Sequence, residues 1–291
     1  MNKESKNFLG YVKLDTGLKP ITPLNDVFLN YTFMKKPYWE TLREIVNICY
    51  KAYIKEHQTT SITTIEGKID VITQFPYYRD ENSTTPKRQD AKIDSKNKFD
   101  FIEFQNNPKP EPPIEERSID YFGFSLTRGK RKPVNSMWLI DGTVPELFHG
   151  DTFSNYIIMN EINHRPHPNI ANILYVDLEQ LAQDDSKVGE LAGVLIGKIN
   201  TPKDPEVEQI FQSLKHSFNT FKNDTEVHDI MTRKEEILAE GKAEGKAEGK
   251  AEVRAELTPI IDEKNKQINE KDELINVLKA SLAKQKLNPS V

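Results

Sequence analysis

The sequence predicts an α/β fold, a core of mixed strands and helices ending near residue 200, followed by a C-terminal helical and coiled-coil tail. Three observations predict it. Strand-period and helix-period segments alternate along the first two-thirds of the chain. The apolar run FDFIEFQ at residues 99–105 reads as a strand that carries Glu103 and Gln105 among aromatics. Beyond Ala239 glycine-bearing AEGK repeats replace that apolar patterning.

Taken in order, residues 1–19 form an N-terminal segment, 20–200 the core domain, 201–236 a helical extension and 237–291 the tail. Asp26, in LNDVFLNYTF, stands at the mouth of a helix, where a carboxylate either caps the first turn or serves a site. Pro37 suits a first helical position, and Tyr38, Leu42, Ile45, Val46, Cys49 and Tyr53 recur at helical spacing, which predicts a helix over 37–55. Residues 62–75 read as one or two strands and 79–88 as polar loop. QDAKID at 89–94 and FDFIEFQ at 99–105 form a hairpin closed by 95–98. The four prolines of NNPKPEPP at 106–113 force an extended connection. A helix over 114–128 follows, with Glu115 and Glu116 in its first turn and Gly129 as its stop. Further strands fall at 136–141, 154–160 and 173–178.

In the tail, AEGK occurs three times between Ala239 and Lys250. A glycine in every fourth place weakens a helix by roughly 1 kcal/mol each relative to alanine, so packing against a partner is the expected source of order. Ile261, Ile268, Ile275 and Leu282 stand seven apart, and Leu257 and Leu278 share the companion position with Lys264 and Lys271. That is a short, imperfect coiled coil and predicts a homo-oligomer; a single solvated helix is the alternative.

Composition bounds the function. The 291 residues carry a net charge of −5, with 36% hydrophobic and 29% charged residues. This excludes a wholly basic DNA-coating protein while leaving room for a local basic groove. No run is long enough to span a bilayer, so no membrane partner is expected. MNKESKNFLGYVKLD lacks the apolar stretch of a signal peptide. Cys49 is the single cysteine, which rules out an internal disulfide and fits a reducing, cytoplasmic setting.

The chemistry concentrates at the hairpin. Side chains alternate along a strand, so Phe99, Phe101, Glu103 and Gln105 share one face. The register that pairs residue 90 with residue 103 sets Asp90 beside Glu103, with Cβ atoms roughly 4.5–5.5 Å apart. Two carboxylates so close repel unless a divalent cation lies between them, and magnesium suits two acidic oxygens and an amide. Arg117 and Tyr121, four apart, share a helix face just downstream. TRGKRKP gathers Arg128, Lys130, Arg131 and Lys132, a cluster able to neutralise phosphates without base specificity. The bland readings are an exposed charge, a half-buried aromatic and a solvated loop. Glu66, Lys68 and Asp70 imitate a ligand motif but lack a following E-x-Q. His164 and His167 flank Pro166 with no second His or Cys pair to complete a zinc site. GKAEGKAEGK has neither the preceding strand nor the Lys-Ser/Thr ending of a phosphate loop.

In their order these segments (NDVFLNYTF, the D-x-K of Asp90, IEFQ at 102–105, the Arg-x-x-x-Tyr of Arg117 and Tyr121, the Gly-rich charged tail) give a chain that resembles the PD-(D/E)XK nucleases of the transposase-like, recombination-promoting family. The resemblance spans about residues 20–200 and the tail. It implies a restriction-endonuclease-like core, with a mixed sheet flanked by helices. It implies a magnesium-dependent DNA endonuclease that promotes recombination, with manganese as the other usable ion. Asp90 and Glu103 become the metal ligands. Gln105 stands where the wider superfamily has lysine, with Lys92 as its substitute. Arg117, Arg128, Lys130, Arg131 and Lys132 become contacts to DNA, with Asp26 and Tyr121 in support. Asn30, where related chains have lysine, and the proline-rich spacer depart from the pattern. They keep a second reading open, a catalytically inactive nuclease-fold protein that binds DNA or acts as a scaffold.

Overall fold

In the computed structural model the described residues are 9–15, 17–77, 87–106, 110, 112–128, 132–157, 172–233 and scattered positions up to 266. A two-stranded hairpin comes first, β1 (Gly10–Leu14) and β2 (Gly17–Ile21). It lies in and just beyond the segment set apart at the N-terminus. Val12, Leu14 and Ile21 face inward, and Gly17 takes φ +125° at the turn, a conformation that L side chains rarely adopt.

Helix α1 (Asp26–Phe33) follows, and a 3₁₀ turn at Lys36–Tyr38 leads into α2 (Trp39–His57). Residues 62–69, expected as strand, are irregular. The reason is Asn47 on α2, which takes both backbone groups of Ile65: its Nδ2 donates to the carbonyl at 3.0 Å and its Oδ1 accepts from the N–H at 2.7 Å. A strand neighbour is not needed there. The strand begins at β3 (Asp70–Tyr77) and continues as an antiparallel meander through β4 (Lys87–Asp94) and β5 (Phe99–Gln105). Helix α3 (Ile114–Arg128) crosses over to β6 (Val134–Ile140), parallel to β5. After α4 (Pro145–Phe148) come β7 (Phe153–Ile157) and β8 (Asn172–Asp177), and the six strands stand in the order β3-β4-β5-β6-β8-β7. The sheet is mixed. The central parallel strands β6 and β8 are buried along their whole length, apolar through Met137–Ile140 and Ile173–Val176 with polar residues at their ends.

Each face of the sheet is covered by helices. Ala91, Ile93, Ile102, Phe104, Met137, Leu139, Leu174 and Val176 share a core with α1, α2, α6 (Lys187–Leu195) and α7 (Pro205–Phe221). On the opposite face Phe99, Phe101, Trp138, Ile140 and Tyr175 pack with α3 and α4. The short helix α5 (Leu178–Leu181) closes β8, capped by Asp177. The core does not stop near residue 200. Asp204 caps α7, Pro205 opens it, and Phe218 and Phe221 meet Phe28 edge to face at 6.1 and 5.2 Å. The chain divides into Met1–Met231 and Thr232–Val291. The coiled-coil positions Leu257, Ile261, Ile268, Ile275, Leu278 and Leu282 lie outside the described residues, as do His164 and His167.

At the N-terminal ends of the parallel strands lies a buried polar row. Asp100, Asn135 and Asn172 are consecutive register partners. Asn135 Nδ2 donates to Asp100 Oδ1 at 3.0 Å, and Asn172 Nδ2 to Asn135 Oδ1 at 2.9 Å. Tyr50 Oη donates to Asp100 Oδ1 at 2.7 Å, while Lys98 Nζ lies 3.0 Å from the same oxygen and donates to the Thr63 carbonyl. Burial pulls the Lys98 pKa down against the pull of Asp100, and pushes that of Tyr50 well up with Asp100 adding to it.

Candidate active site

Two strands separate where the candidate carboxylates stand. The β4–β5 pairing runs from Asp94↔Phe99 to Ala91↔Ile102, so the next step in register sets Asp90 opposite Glu103. Side chains take over from the backbone ladder at this step. The Asp90 N–H donates to Glu103 Oε1 at 3.2 Å, and the Phe104 N–H donates to Asp90 Oδ2 at 2.9 Å. Each carboxylate is thus fixed by the other residue's strand, a rigid mounting for two like charges.

Glu103 is only 3% exposed, whereas Asp90 is half-buried. Burial pushes the Glu103 carboxyl well above the usual range and the charge of Asp90 pushes it further. Arg117 and the Asp90 N–H pull it back. A buried carboxylate in this position is costly as an anion unless a cation joins it. Cys49 presents the contrast: its thiol is fully buried and pushed up to about 12 by burial.

Gln105 ends β5 on the same face, and its carbonyl accepts from the Asp141 N–H at 2.8 Å. Arg117 reaches it from the first turn of α3, donating from Nη1 to Gln105 Oε1 at 2.8 Å. The guanidinium also lies 5.5 Å from the Trp138 ring and 5.8 Å from the Tyr121 ring, which stack on one another at 5.6 Å. Trp138 is the register partner of Glu103 on β6. It was missed at the sequence level, although strand alternation through VNSMWLI places it on this face.

The remaining candidates do not all arrive. Lys92 shares the strand face of Asp90, but its ammonium lies over the Phe99 ring at 4.0 Å, toward the far end of β5. Lys132 is committed to the hairpin: Nζ meets Asp94 Oδ1 at 2.9 Å and the Ser95 carbonyl at 2.8 Å, over Phe99. That end of β5 is roughly 13 Å along the strand from Glu103, so Lys132 stands apart from the carboxylates. The Arg128 side chain, Lys130 and Arg131 lie outside the described residues. Asp26 is not the cap of α1; Asn25 is, accepting from the Phe28 N–H at 3.0 Å. Asn106 Nδ2 donates to the Leu24 carbonyl at 2.6 Å, which holds the start of α1 at the Gln105 end of the sheet. Asn30, one turn on, donates to the Asp26 carbonyl at 2.9 Å.

The chain matches no family model, no curated protein and no solved structure. Among the described residues no three His, Cys, Asp or Glu side chains gather around one metal position, and no helix is long and apolar enough to cross a membrane. Two carboxylates are nonetheless a donor set that suits magnesium, which keeps several waters and takes phosphate oxygens as further ligands. Asp90 and Glu103 fit that ion, with Gln105 next along the strand face and its amide oxygen held by Arg117.

Proposed function

We propose that residues 20–200, with α7 completing their core, form a restriction-endonuclease-like, magnesium-dependent endodeoxyribonuclease. The observation that carries this reading is the Asp90–Glu103 pair, fastened across two separating strands by reciprocal bonds to the opposite backbone, with Glu103 held above the carboxylate range by its burial and by Asp90. The mixed sheet flanked by helices supports it. Bound magnesium, or manganese, would polarise the scissile phosphate and lower the pKa of a water. The chain's own groups do the rest. Asp90 and Glu103 hold the ion, Gln105 orients the water, and Arg117 holds a phosphate oxygen. In the hydrolysis the water oxygen bonds to phosphorus as the bond to the leaving ester oxygen breaks. The water releases its proton to solvent and the leaving oxygen takes one up. The tail would pair two such domains, so that two nicks make a double-strand break from which recombination follows.

The test is cleavage of supercoiled plasmid in magnesium, beside an Asp90→Asn/Glu103→Gln variant. Asparagine still accepts from the Phe104 N–H and glutamine from the Asp90 N–H, so the variant keeps the fold. Nicking by the native chain alone supports the reading. Folded native protein that binds DNA without cutting it in magnesium or manganese points to the inactive DNA-binding alternative.

A further inference from the structure

We infer that Arg117, docked on Gln105, is the cation that offsets the charge a phosphodiester gains during attack at this site, and that the two side chains act as one unit. The inference rests on the nuclease reading above and specifies how its site is completed.

The argument begins with charge. A divalent ion on Asp90 and Glu103 is neutralised by them, leaving nothing to balance negative charge as it builds on a phosphate. The site needs one further cation at the C-terminal end of β5. Three candidate cations have described side chains. Lys92 lies over Phe99, and Lys132 is tied to Asp94 and Ser95, both at the far end of the hairpin. Arg117 is fastened at the Gln105 end.

Its geometry is built. Glu103 and Gln105 are two apart on one strand face, and Trp138 is the strand neighbour of Glu103 on β6. The guanidinium donates to Gln105 and lies over the Trp138 ring, the neighbours of the buried carboxylate along its own strand face and on β6. Tyr121, one helical turn along α3, completes the aromatic seat. Arginine has only donors, so Gln105 must present its oxygen to it. Arg117 spends one N–H on Gln105 and retains others for a phosphate oxygen, in a fork suited to it.

The experiment uses the full chain with Arg117→Met, Gln105→Lys and the double variant, and two readouts. The first is plasmid cleavage in magnesium. The second is affinity for a short DNA duplex in EDTA as a function of salt, which needs no metal. Arg117→Met is expected to slow cleavage by about 100-fold and to flatten the salt slope by about one. The double variant, with an ammonium at 105, is expected to restore about 10-fold of the rate, since one positioned cation is worth that much or more, together with the slope. Gln105→Lys alone crowds two cations and slows cleavage. Thermal midpoints identify any variant that has merely lost its fold. Native-like cleavage by Arg117→Met overturns the inference. So does a folded double variant with neither rate nor slope recovered. Slope changes as expected with no cleavage by the native chain would sink the nuclease reading while keeping Arg117 as the phosphate contact; no DNA binding by the native chain overturns both.

Discussion

Glu103 is buried as a carboxyl with an acidic neighbour, and its raised pKa is a liability for stability. The unfolded chain releases this proton near the ordinary value of 4.5, whereas the folded chain holds it to higher pH. Between those two values the folded state binds more protons, so its stability falls as pH rises through the window and is unaffected below it. Glu103→Gln removes that dependence while keeping an acceptor for the Asp90 N–H. The variant is expected to be more stable than the native chain by about 1–2 kcal/mol at pH 8 and to match it near pH 4. Magnesium should raise the thermal midpoint of the native chain and leave that of the variant alone. Urea melts at three pH values check this. A variant less stable at pH 8 would mean that Glu103 is well solvated or already satisfied.

Elements show where sequence reading worked. The β4–β5 hairpin and its register were legible because alternation in FDFIEFQ fixes the faces and the four-residue connection fixes the pairing. Helix α3 was legible at both ends, from the prolines before it and the acidic first turn. The β1–β2 hairpin was not, since Pro20 and the polar residues around it mask its alternation. Nor was the Arg117–Gln105 contact, because a proline-rich spacer of unpredictable path separates the two. The strand read over 62–75 holds only from Asp70, since Asn47 from α2 satisfies the backbone of the irregular stretch before it. Helix α6 holds a constraint of another kind. A Cβ on Gly189 would collide with the backbone carbonyls of Leu181, at the end of α5, and Asp184, in the connection before the α6 cap Ser186. Backbone has no rotamer with which to yield, so Gly189→Ala is expected to cost about 2–3 kcal/mol despite its better helix propensity. A urea midpoint changed by less than the equivalent of about 1 kcal/mol would show that α6 can slide on its turn.

Across the whole molecule the two ends of the parallel strands serve opposite ends. The C-terminal ends carry the half-buried Asp90, Gln105 and Arg117. The N-terminal ends carry the row Asp100, Asn135 and Asn172, sealed under α2 by Tyr50 and Lys98. Asn172 extends the row to the Ser61 carbonyl at 3.0 Å and accepts from Asn155 at 3.2 Å, so the irregular segment and edge strand β7 are tied into it. No spacing in the sequence foretold this, since Asp100 reads as an ordinary strand carboxylate until Tyr50 and Lys98 are brought to it from other elements. Asp100 Oδ1 accepts from Tyr50 and Asn135 and meets Lys98, while Oδ2 is buried with no hydrogen-bond partner among the described residues. Its charge therefore rests on Lys98. Lys98→Met should cost about 3–5 kcal/mol, because it strands a buried anion, whereas Asp100→Asn should cost less, since asparagine still accepts from Tyr50 and Asn135. Combining the two removes both charges together, so the pair should be more stable than Lys98→Met alone, with a coupling of about 1–3 kcal/mol. A double-mutant cycle by urea unfolding measures it. Additive losses would mean that Lys98 supports the fold through its packing on Tyr50, at 4.4 Å from the ring, and through Thr63, with Asp100 incidental to it.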